Sequence, residues 1–557
     1  MAFLQIKNLS FSYPKTEARA LQSVNLEIKE GELILVCGVS GCGKSTLLRH
    51  IKREITPHGR KRGTVLYRGL EIEKLDRKIA ASEIGFVMQD PETQLVTDTV
   101  WHELAFGLEN LGLSTSEIRR KVAEMASFFG IDGWFRKSVD ELSGGQKQLL
   151  NLASVMAMQP KLLILDEPTA QLDPIAAQDF LATIAKINRD LAVTVILTEH
   201  RLEEVFLMAD RIVVMEKGKI VCFDTPEQTA KLLADRKAQQ TIFKGLPSAI
   251  RIYSEIRLGN DCPLSVRDGR KWLDEFMTPV GRVFNDPVND QAQKQKPVIK
   301  AEEIWFKYAK DGNDILRGFS LKAYSGEILC VLGGNGTGKT TMLGVISGLL
   351  KQYRGKVEIS GKRIETFQAK ELYRNNIALL PQNPRALFVC DTVLGDLKEA
   401  ATILRLDNDS IRTEIDRIAK ELRITQFFER HPYDLSCGEQ QKVALAKLLL
   451  LEPIIVLLDE PTKGLDAESK EELGIILKRL CSKEVAMVIV THDIEFAAEY
   501  ADQCAMMFDG DIVSEGKPNE FFAGNNFYTT AANRMARGIF PDAVTCEDVI
   551  ELCKISV

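Results

Sequence analysis

Two glycine-rich segments of this sequence have the residue types and spacing that bind phosphate groups. Residues 38–46 and 333–341 both match the pattern G-x-x-x-x-G-K-[ST]. Each segment follows an apolar run of strand length and precedes residues that favour a helix. In that setting the glycines let backbone N–H groups surround phosphate oxygens, and the helix N-terminus adds partial positive charge. The sequence therefore predicts two sites for nucleotide phosphates.

Within each segment the side chains have separate predicted tasks. Lys44 and Lys339 would reach the outer phosphates, and the hydroxyls of Ser45 and Thr340 would ligate Mg²⁺. The residues predicted to bind the nucleotide in these segments are Gly38, Ser40, Gly41, Gly43, Lys44, Ser45 and Thr46, and then Gly333, Asn335, Gly336, Gly338, Lys339, Thr340 and Thr341.

A pair of adjacent carboxylates closes an apolar strand in each half of the chain. Asp166 and Glu167 follow one such strand, and Asp459 and Glu460 follow the other. The aspartates can hold Mg²⁺ through its water shell, and the glutamates, on the opposite side of the pleat, can polarise a water that attacks the γ-phosphate. An ordinary acidic strand end is the alternative, and the two phosphate-binding segments weigh against it.

The bulk composition is that of an ordinary globular protein. The chain has 557 residues, 45% of them hydrophobic and 27% charged, with a formal net charge of −6, so it gives no electrostatic reason to expect nucleic acid. We read no secretory signal at the start, and no apolar run approaches the roughly 18 residues of a membrane span. The eleven cysteines include no C-x-x-C pair, which indicates reduced thiols.

The chain contains one internal repeat of domain size. Corresponding residues lie between 292 positions (492 − 200) and 295 positions (339 − 44) apart. Apolar strands alternate with helical segments in each copy, which predicts a mainly parallel α/β sheet covered on both faces. The predicted domains are a first nucleotide-binding domain at 1–231, a small helical appendage at 232–288, a polar linker at 289–297, a second nucleotide-binding domain at 298–524 and a C-terminal appendage at 525–557.

With these motifs in order, each half resembles the nucleotide-binding domain of ATP-binding cassette (ABC) ATPases. The resemblance rests on Leu-Ser-Gly-Gly-Gln at 142–146, on Asp-Glu-Pro-Thr at 166–169 and on their counterparts in the second half. It implies the P-loop NTPase fold, in which each domain adds an antiparallel β subdomain and a helical subdomain to the mainly parallel sheet. It also implies ATP and Mg²⁺ as cofactors and ATP hydrolysis as the activity.

In that family a signature loop opens a helix whose N–H groups cap the γ-phosphate bound to the other domain. The resemblance therefore implies that the two halves pair within the chain. The corresponding signature residues are Ser143, Gly144, Gly145 and Gln146, and in the second half Ser436, Gly438 and Glu439. The second half departs from the pattern, with Cys437 for the first glycine and Glu439 for glutamine. Asp173 and Asp466 match the D-loop aspartates.

Further residues match by position in the family pattern. Tyr13 and Tyr308 occupy the adenine-stacking position, although an ordinary strand aromatic is the alternative. Gln89 and Gln382 match the glutamine that contacts Mg²⁺ and senses the transmembrane partner. The resemblance gives Mg²⁺ these two residues together with the hydroxyl and aspartate of each half.

The histidine that contacts the γ-phosphate in the family has its counterparts in His200 and His492. A lone histidine after a strand is usually structural, and the order of the motifs favours the functional interpretation. With Glu167 and Glu460 both present, we expect two hydrolytic sites, which need not be equally active.

Two cysteines, Cys42 and Cys437, would face the same nucleotide if the halves pair as in the family. Two small residues that fill space are the simpler interpretation. A thiol-sensitive ATP site is the sharper hypothesis.

The stretch from 89 to 112 indicates which kind of cassette protein this is. It resembles the energy-coupling-factor and cobalt-type importer ATPases, and residues 381–393 keep a looser form. The resemblance implies a transmembrane coupling protein and a small substrate-binding membrane protein as partners, at the cytoplasmic face of the cell membrane. The cargo would be a vitamin, a vitamin precursor or a transition-metal ion, and no residue here contacts it.

A soluble tandem factor acting on ribosomes or nucleic acid is the alternative function. Such a factor is expected to carry a long, charged, helical linker between its cassettes. Residues 232–297 are instead mixed in composition and broken by Pro247, Pro263, Pro279 and Pro287.

Overall fold

The structure is a computed structural model that describes residues 2–14, 16, 18–235, 241–279, 296–402 and 408–556. The chain forms two compact units, residues 1–265 and 266–557.

The first unit contains two sheets and the helices that cover them. Its strands are β1 Leu4–Ser12, β2 Leu21–Ile28, β3 Leu33–Cys37, β4 Arg60–Tyr67, β5 Leu70–Glu71, β6 Ile84–Val87, β7 Leu162–Asp166, β8 Thr194–Thr198, β9 Arg211–Glu216 and β10 Lys219–Asp224. Its helices are α1 Lys44–Arg49, α2 Arg77–Glu83, α3 Val100–Asn110, α4 Thr115–Phe128, α5 Gly144–Ala157, α6 Pro174–Leu191, α7 Leu202–Val205, α8 Pro226–Asp235 and α9 Ser248–Ile256.

The larger sheet of the first unit has the order β10-β9-β3-β8-β7-β6 and is parallel except for β10. Every residue of β3, β7 and β8 is buried, as expected for parallel strands covered on both faces. The smaller sheet, β2-β1-β4-β5, is antiparallel. Because parallel strands end at one edge of the sheet, the segments that follow β3, β7 and β8 meet there.

The second unit repeats this arrangement. Its strands are β11 Ile299–Phe306, β12 Leu316–Ala323, β13 Ile328–Leu332, β14 Arg354–Ile359, β15 Lys362–Arg363, β16 Ile377–Leu380, β17 Ile455–Asp459, β18 Ala486–Val490, β19 Gln503–Phe508 and β20 Asp511–Gly516. Its helices are α10 Val266–Phe276, α11 Lys339–Ile346, α12 Ala369–Tyr373, α13 Val393–Ala401, α14 Asn408–Glu421, α15 Cys437–Leu449, α16 Ala467–Cys481, α17 Ile494–Tyr500, α18 Pro518–Ala523, α19 Ala531–Ala536 and α20 Cys546–Ser556.

The sheets of the second unit have the orders β16-β17-β18-β13-β19-β20 and β12-β11-β14-β15. In the first of these only β20 is antiparallel to its neighbour, and the second is antiparallel throughout. In both units the predicted class is confirmed, with a mainly parallel α/β sheet, an antiparallel β subdomain and helices.

The segment predicted as one appendage between the halves requires a correction, because its helices belong to both units. Leu246 and Ile250 on and beside α9 join the core of the first unit. Helix α10 packs instead against α19 of the second unit, with Trp272 and Leu273 buried. Both helices are amphipathic, and the sequence does not indicate which core buries an apolar face. Of the predicted linker, residues 289–295 lie outside the described part of the chain.

Appended helices α9 and α19 are held to their own units by the same device. The carboxylate of Glu203 accepts the N–H of Ser248 at 2.8 Å, and that of Glu495 accepts the N–H of Ala531 at 2.8 Å. Both glutamates stand three residues after the predicted site histidine of their half, His200 or His492. A carboxylate at the first N–H groups of a helix satisfies a donor and interacts favourably with the helix dipole.

Among the described helices, none combines the length and the apolar character needed to cross a lipid bilayer.

A buried ion pair holds the loop that follows Gln382 in the second unit. Asp396 is 0% exposed, and its Oδ1 accepts the N–H of Val389 at 2.9 Å and lies 2.9 Å from Lys447 Nζ. The same ammonium donates to the carbonyl oxygen of Leu387 at 2.7 Å. A buried carboxylate without its cation is costly, since neither water nor a counter-charge then compensates it.

Replacing the lysine of this pair tests its contribution to stability. We expect Lys447→Met to lower the free energy of unfolding by about 3 kcal/mol, because Asp396 stays buried and loses its cation. The measurement is the midpoint of urea-induced unfolding of the full chain. Lys483→Met is the matched control, since its pair with Glu421 is half-exposed and should cost less than about 1 kcal/mol. Equal effects of the two substitutions would contradict this prediction.

Candidate functional site

The phosphate-binding segment of the first unit joins the end of β3 to the start of α1, and its backbone requires glycine. Gly38 and Gly43 have φ values of 154° and 106°, which side chains rarely adopt. A Cβ would lie 2.4 Å from the carbonyl oxygen of Met215 at Gly38 and 2.5 Å from that of Ala20 at Gly43. The loop therefore packs too closely on its neighbours for any side chain at these positions.

The lysine of each segment folds back over its own loop. Lys44 Nζ donates to the carbonyl oxygens of Gly38 at 2.8 Å and Val39 at 3.2 Å. Lys339 Nζ donates to those of Gly333 and Gly334, both at 2.8 Å. An ammonium held over the loop by neutral carbonyls can exchange them for the more strongly attracting oxygens of a phosphate.

Both predicted adenine-stacking tyrosines lie beside the helix that follows the phosphate loop. The hydroxyl of Tyr13 is 3.0 Å from Thr46 Oγ1, and that of Tyr308 is 3.1 Å from Thr341 Oγ1. Both rings are exposed, and each is braced edge-on by a phenylalanine at 5.0 Å. An exposed ring anchored at its hydroxyl leaves its face available for stacking.

The hydroxyl and carboxylate predicted to hold Mg²⁺ are brought together in the first unit. Ser45 Oγ donates to Asp166 Oδ1 at 3.0 Å, and Thr198 Oγ1 donates to the same oxygen at 2.9 Å. Burial, followed by the adjacent charge of Glu167, raises the pKa of Asp166. A cation beside this carboxylate would relieve that penalty.

In the second unit the corresponding hydroxyl and carboxylate, those of Thr340 and Asp459, leave a carboxylate oxygen available for a cation. Burial is the largest influence on the pKa of Asp459 and raises it, while a hydrogen bond to Thr340 lowers it. Oδ1 of Asp459 is buried and has no hydrogen-bond partner among the described residues. A hydroxyl and one carboxylate, completed by phosphate and water, are the oxygen donors that Mg²⁺ takes at nucleotide sites, so both donor sets fit it. Within the described chain there is no cluster of three or more acidic, histidine or cysteine ligands.

The predicted catalytic glutamate of the first unit contacts two side chains that are distant from it in the sequence, Gln89 and His200. Glu167 Oε2 accepts from Gln89 Nε2 at 2.7 Å, and Glu167 Oε1 lies 2.7 Å from His200 Nε2 and 3.9 Å from Lys44 Nζ. The backbone of Glu167 is left-handed, with φ 47°. Such strain in a residue with a side chain costs of order 1–3 kcal/mol and concentrates at functional sites.

The second unit arranges the corresponding residues differently. Glu460 has the same left-handed backbone, with φ 49°. Its Oε2 lies 2.8 Å from His492 Nδ1 and accepts the backbone N–H of His492 at 3.3 Å. Gln382 is exposed, whereas its counterpart Gln89 bonds to the glutamate. The two halves thus share the residue types and differ in their contacts.

Both predicted signature segments form the exposed starts of helices. Ser143 caps α5 in a reciprocal capping box with Gln146, and Ser436 caps α15 in the same way with Glu439. Because glutamate replaces glutamine in this reciprocal contact, the departure in the second half keeps the helix start intact. The N-terminus of each helix can receive an anion, because the helix dipole is positive there.

The two predicted D-loop aspartates are helix caps in this structure. Asp173 accepts the N–H of Ala176 at 2.8 Å at the start of α6, and Asp466 accepts that of Ser469 at 2.8 Å at the start of α16. Their part in the nucleotide site stays a prediction.

Sequence reasoning missed two side chains near these sites. Glu199, next to His200, is buried. The signal that could have found it is the difference between the halves, because the residue before the histidine is Glu199 in the first half and Thr491 in the second. Tyr528 lies three residues before α19, and burial raises its pKa to about 12, while the nearby backbone of Gly333 lowers it. No sequence pattern indicates that this tyrosine reaches the phosphate loop.

Comparison with known proteins gives a consistent set of relationships. The profile of the family described as ABC transporter matches residues 21–170 and 316–463, which contain both phosphate loops and both acidic pairs. A protein of Bacillus anthracis provisionally named as an ABC transporter ATP-binding protein is 43% identical over 554 residues, covering 100% of this chain and 99% of its own. A Clostridium tetani protein of the same name is 35% identical over 453 residues, covering 81% and 99%.

Among solved structures, one described as cbiO1 from Clostridium perfringens, part of the ABC transporter complex cbiONQ, is 31% identical. The match covers 43% of this chain and 95% of that one, with a TM-score of 0.38.

Removing either phosphate-loop lysine tests the two sites separately. We expect Lys44→Ala and Lys339→Ala each to weaken one of two ATP-binding events at least about tenfold, because a charge-assisted contact to the outer phosphates is lost. The measurement is calorimetric titration with a non-hydrolysable ATP analogue. Lys74→Ala, which removes an exposed lysine paired with Glu71, is the control. Two sites of native affinity in Lys44→Ala would contradict the assignment.

Cys42 and Cys437, the two cysteines of the hypothetical thiol-sensitive site, differ in their exposure. Cys42 is buried, and burial raises its pKa, whereas Cys437 is exposed at the start of α15. Since the thiolate is the reactive form, we expect brief alkylation near neutral pH to modify Cys437 at least about tenfold faster than Cys42. Mass spectrometry of the peptides measures both rates, and Cys437→Ser should abolish any loss of ATPase activity. Equal labelling of Cys42 would contradict this expectation.

Proposed function

The chain belongs to the ABC transporter family and is a tandem ABC ATPase, and on that premise we propose that it is the motor subunit of an energy-coupling-factor-type importer. It would drive uptake of a vitamin, a vitamin precursor or a transition-metal ion through separate membrane subunits. The proposal places it at the cytoplasmic face of the membrane, with a transmembrane coupling protein and a small substrate-binding membrane protein as partners.

One observation carries the importer part of the proposal, the stretch from 89 to 112 that resembles these ATPases. In the structure this stretch follows Gln89 and presents apolar side chains outward. Val96 is 65% exposed, and its counterpart Val389 in the second half is 70% exposed. Phe106 on α3 is also exposed. Exposed apolar side chains beside the glutamine in both halves support a docking surface for helices of the coupling protein.

The geometry of the first half supports a simple division of work in hydrolysis. Lys44 binds the outer phosphates, and Glu167 polarises the attacking water, held in place by Gln89 and His200. His200 then contacts the γ-phosphate. Bound Mg²⁺ would neutralise charge on the phosphate oxygens, with Ser45 and Asp166 as its holders in this half.

The second half has the same set of groups. Lys339 binds phosphates, Glu460 and His492 act on water and γ-phosphate, and Thr340 and Asp459 hold the cation. We propose that the two cassettes pair within the chain around two ATP molecules. Closure on ATP and reopening after hydrolysis would then form a two-state element that nucleotide biases and that the coupling protein follows.

A soluble tandem factor remains the second candidate, and the helices between the cassettes weigh against it. Among the described residues from 241 to 279, α9 has 9 residues and α10 has 11. Neither is the long helix that such a factor is expected to carry. Each of them packs on its own unit.

The test combines purification with paired substitutions. We expect the chain, co-expressed with its neighbouring genes, to purify from membranes with a coupling protein and a small binding protein. Glu167→Gln and Glu460→Gln should each lower ATP turnover, and together by at least about 100-fold, because each removes a water-activating carboxylate. Glu275→Gln, on the exposed face of α10, is the control and should be neutral.

The outcomes separate the two candidate functions. Purification with ribosomes or nucleic acid and without a membrane partner would overturn the importer proposal. Full turnover in the double variant would overturn the roles given to Glu167 and Glu460. The ratio of the two single variants shows whether the two ATP sites are equally active.

A further inference from the structure

A buried carboxyl group, that of Glu199, joins two backbone segments at the first ATP site. Glu199 directly follows β8, directly precedes His200 and is 3% exposed. Its Oε1 accepts the backbone N–H of Thr169 at 3.0 Å, and its Oε2 accepts that of His200 at 3.3 Å. One side chain thus connects the segment after β7 to the segment after β8.

These two segments carry the groups that act on water and phosphate. Glu167 stands two residues before Thr169, and its carboxylate is shared between Gln89 Nε2 and His200 Nε2, both at 2.7 Å. Because contacts of this length depend on the position of each backbone, a small shift of either segment would break them.

The second unit shows the same site without this carboxyl group. Strand pairing matches Asp166 with Thr198 and Asp459 with Val490, so Thr491 occupies the position of Glu199. The hydroxyl of Thr491 lies 3.4 Å from that of Thr462. The backbone N–H of His492 then donates to the catalytic carboxylate itself, at 3.3 Å, and the imidazole faces it through Nδ1.

We propose that Glu199 is a positioning residue for ATP hydrolysis in the first half. By accepting the N–H groups of Thr169 and His200, it leaves both oxygens of Glu167 to side chains, and it orients His200 so that Nε2 faces that carboxylate. The inference rests on the proposed roles of Glu167 and His200 in hydrolysis. It does not depend on which membrane partner the chain has.

The hydrogen bonds that Glu199 accepts depend on pH, because they depend on the charge of its carboxyl group. Burial is the largest influence on the pKa of Glu199 and, with the facing charge of Glu167, raises it; the hydrogen bonds to Thr169 and the charge of His200 lower it, and the resulting pKa is about 7. A carboxylate accepts N–H groups more strongly than a protonated carboxyl. The positioning contacts therefore strengthen as pH rises through about 7, and kcat should rise with them.

The raised pKa of Glu199 also predicts how stability depends on pH, and a measurement of stability distinguishes a positioning role from a merely structural one. A carboxyl whose pKa is higher in the folded chain than in the unfolded one contributes stability below its unfolded pKa, and that contribution is lost as pH rises through the folded value. Near pH 8, replacing Glu199 by an uncharged isostere should therefore leave the melting temperature at or above that of the native chain.

The test uses Glu199→Gln and Glu199→Thr in the full chain, with Thr491→Val as the matched control in the second half. For the two Glu199 variants we expect kcat to fall at least about threefold while KM for ATP stays within about twofold, because the phosphate loop and Lys44 are untouched. In Glu199→Gln the rise of kcat with its midpoint near pH 7 should disappear.

A second readout reports on His200 directly. The chain has six histidines, so the ring signal of His200 can be assigned in a histidine-labelled NMR sample by comparison with His200→Asn. We expect this signal to shift in both Glu199 variants and to stay unchanged in Thr491→Val.

The possible outcomes decide the proposal. An unchanged His200 signal together with native kcat in Glu199→Thr would overturn it. A fall in kcat that is matched by a lower melting temperature in Glu199→Gln would also overturn it, since the role would then be structural. Both measurements use the isolated chain, so failure of the importer proposal would leave them valid.

Discussion

Two adjacent buried carboxylates at the end of one strand are the constraint on which each ATP site depends. Charges so close and so poorly hydrated persist only where donors and cations surround them. In the first unit Ser45 and Thr198 donate to Asp166, while Gln89, His200 and Lys44 approach Glu167. Because these donors come from the phosphate loop and the ends of neighbouring parallel strands, the sheet order itself assembles the site.

The two units meet this constraint with different residues. In the second unit Val490 stands where the first has Thr198, so Asp459 keeps a buried oxygen without a partner among the described residues. Thr491 stands in place of Glu199, and the backbone N–H of His492 donates to the carboxylate of Glu460. Small changes at the ends of strands thus give two sites that share their lysine, acidic pair and histidine but differ in the contacts around them.

The appended helices of the two units are held by equivalent glutamates, Glu203 and Glu495. A glutamate three residues after each site histidine holds the helix appended to its own unit, which links the neighbourhood of the nucleotide to the parts of the chain outside the cassette fold. In the second unit the pKa of Tyr528, in the appended segment, is influenced by the backbone of Gly333 in the phosphate loop. In each unit, a glutamate close to the site histidine is therefore bonded to an appended helix.

The repeat, the mainly parallel fold, the phosphate loops and the acidic pairs could all be predicted from the sequence, because each depends on residue types at a fixed local spacing. Local residue preferences indicate the conformation of these segments: glycine for positive φ, apolar runs for buried strands and serine for helix starts. Tertiary structure alone decided which oxygen each donor reaches, that Gln89 contacts Glu167 whereas Gln382 is exposed, and that α9 and α10 join different units. Those outcomes depend on distances of a few tenths of an ångström between segments far apart in the chain, and on the core available to bury an apolar face, which no local pattern encodes.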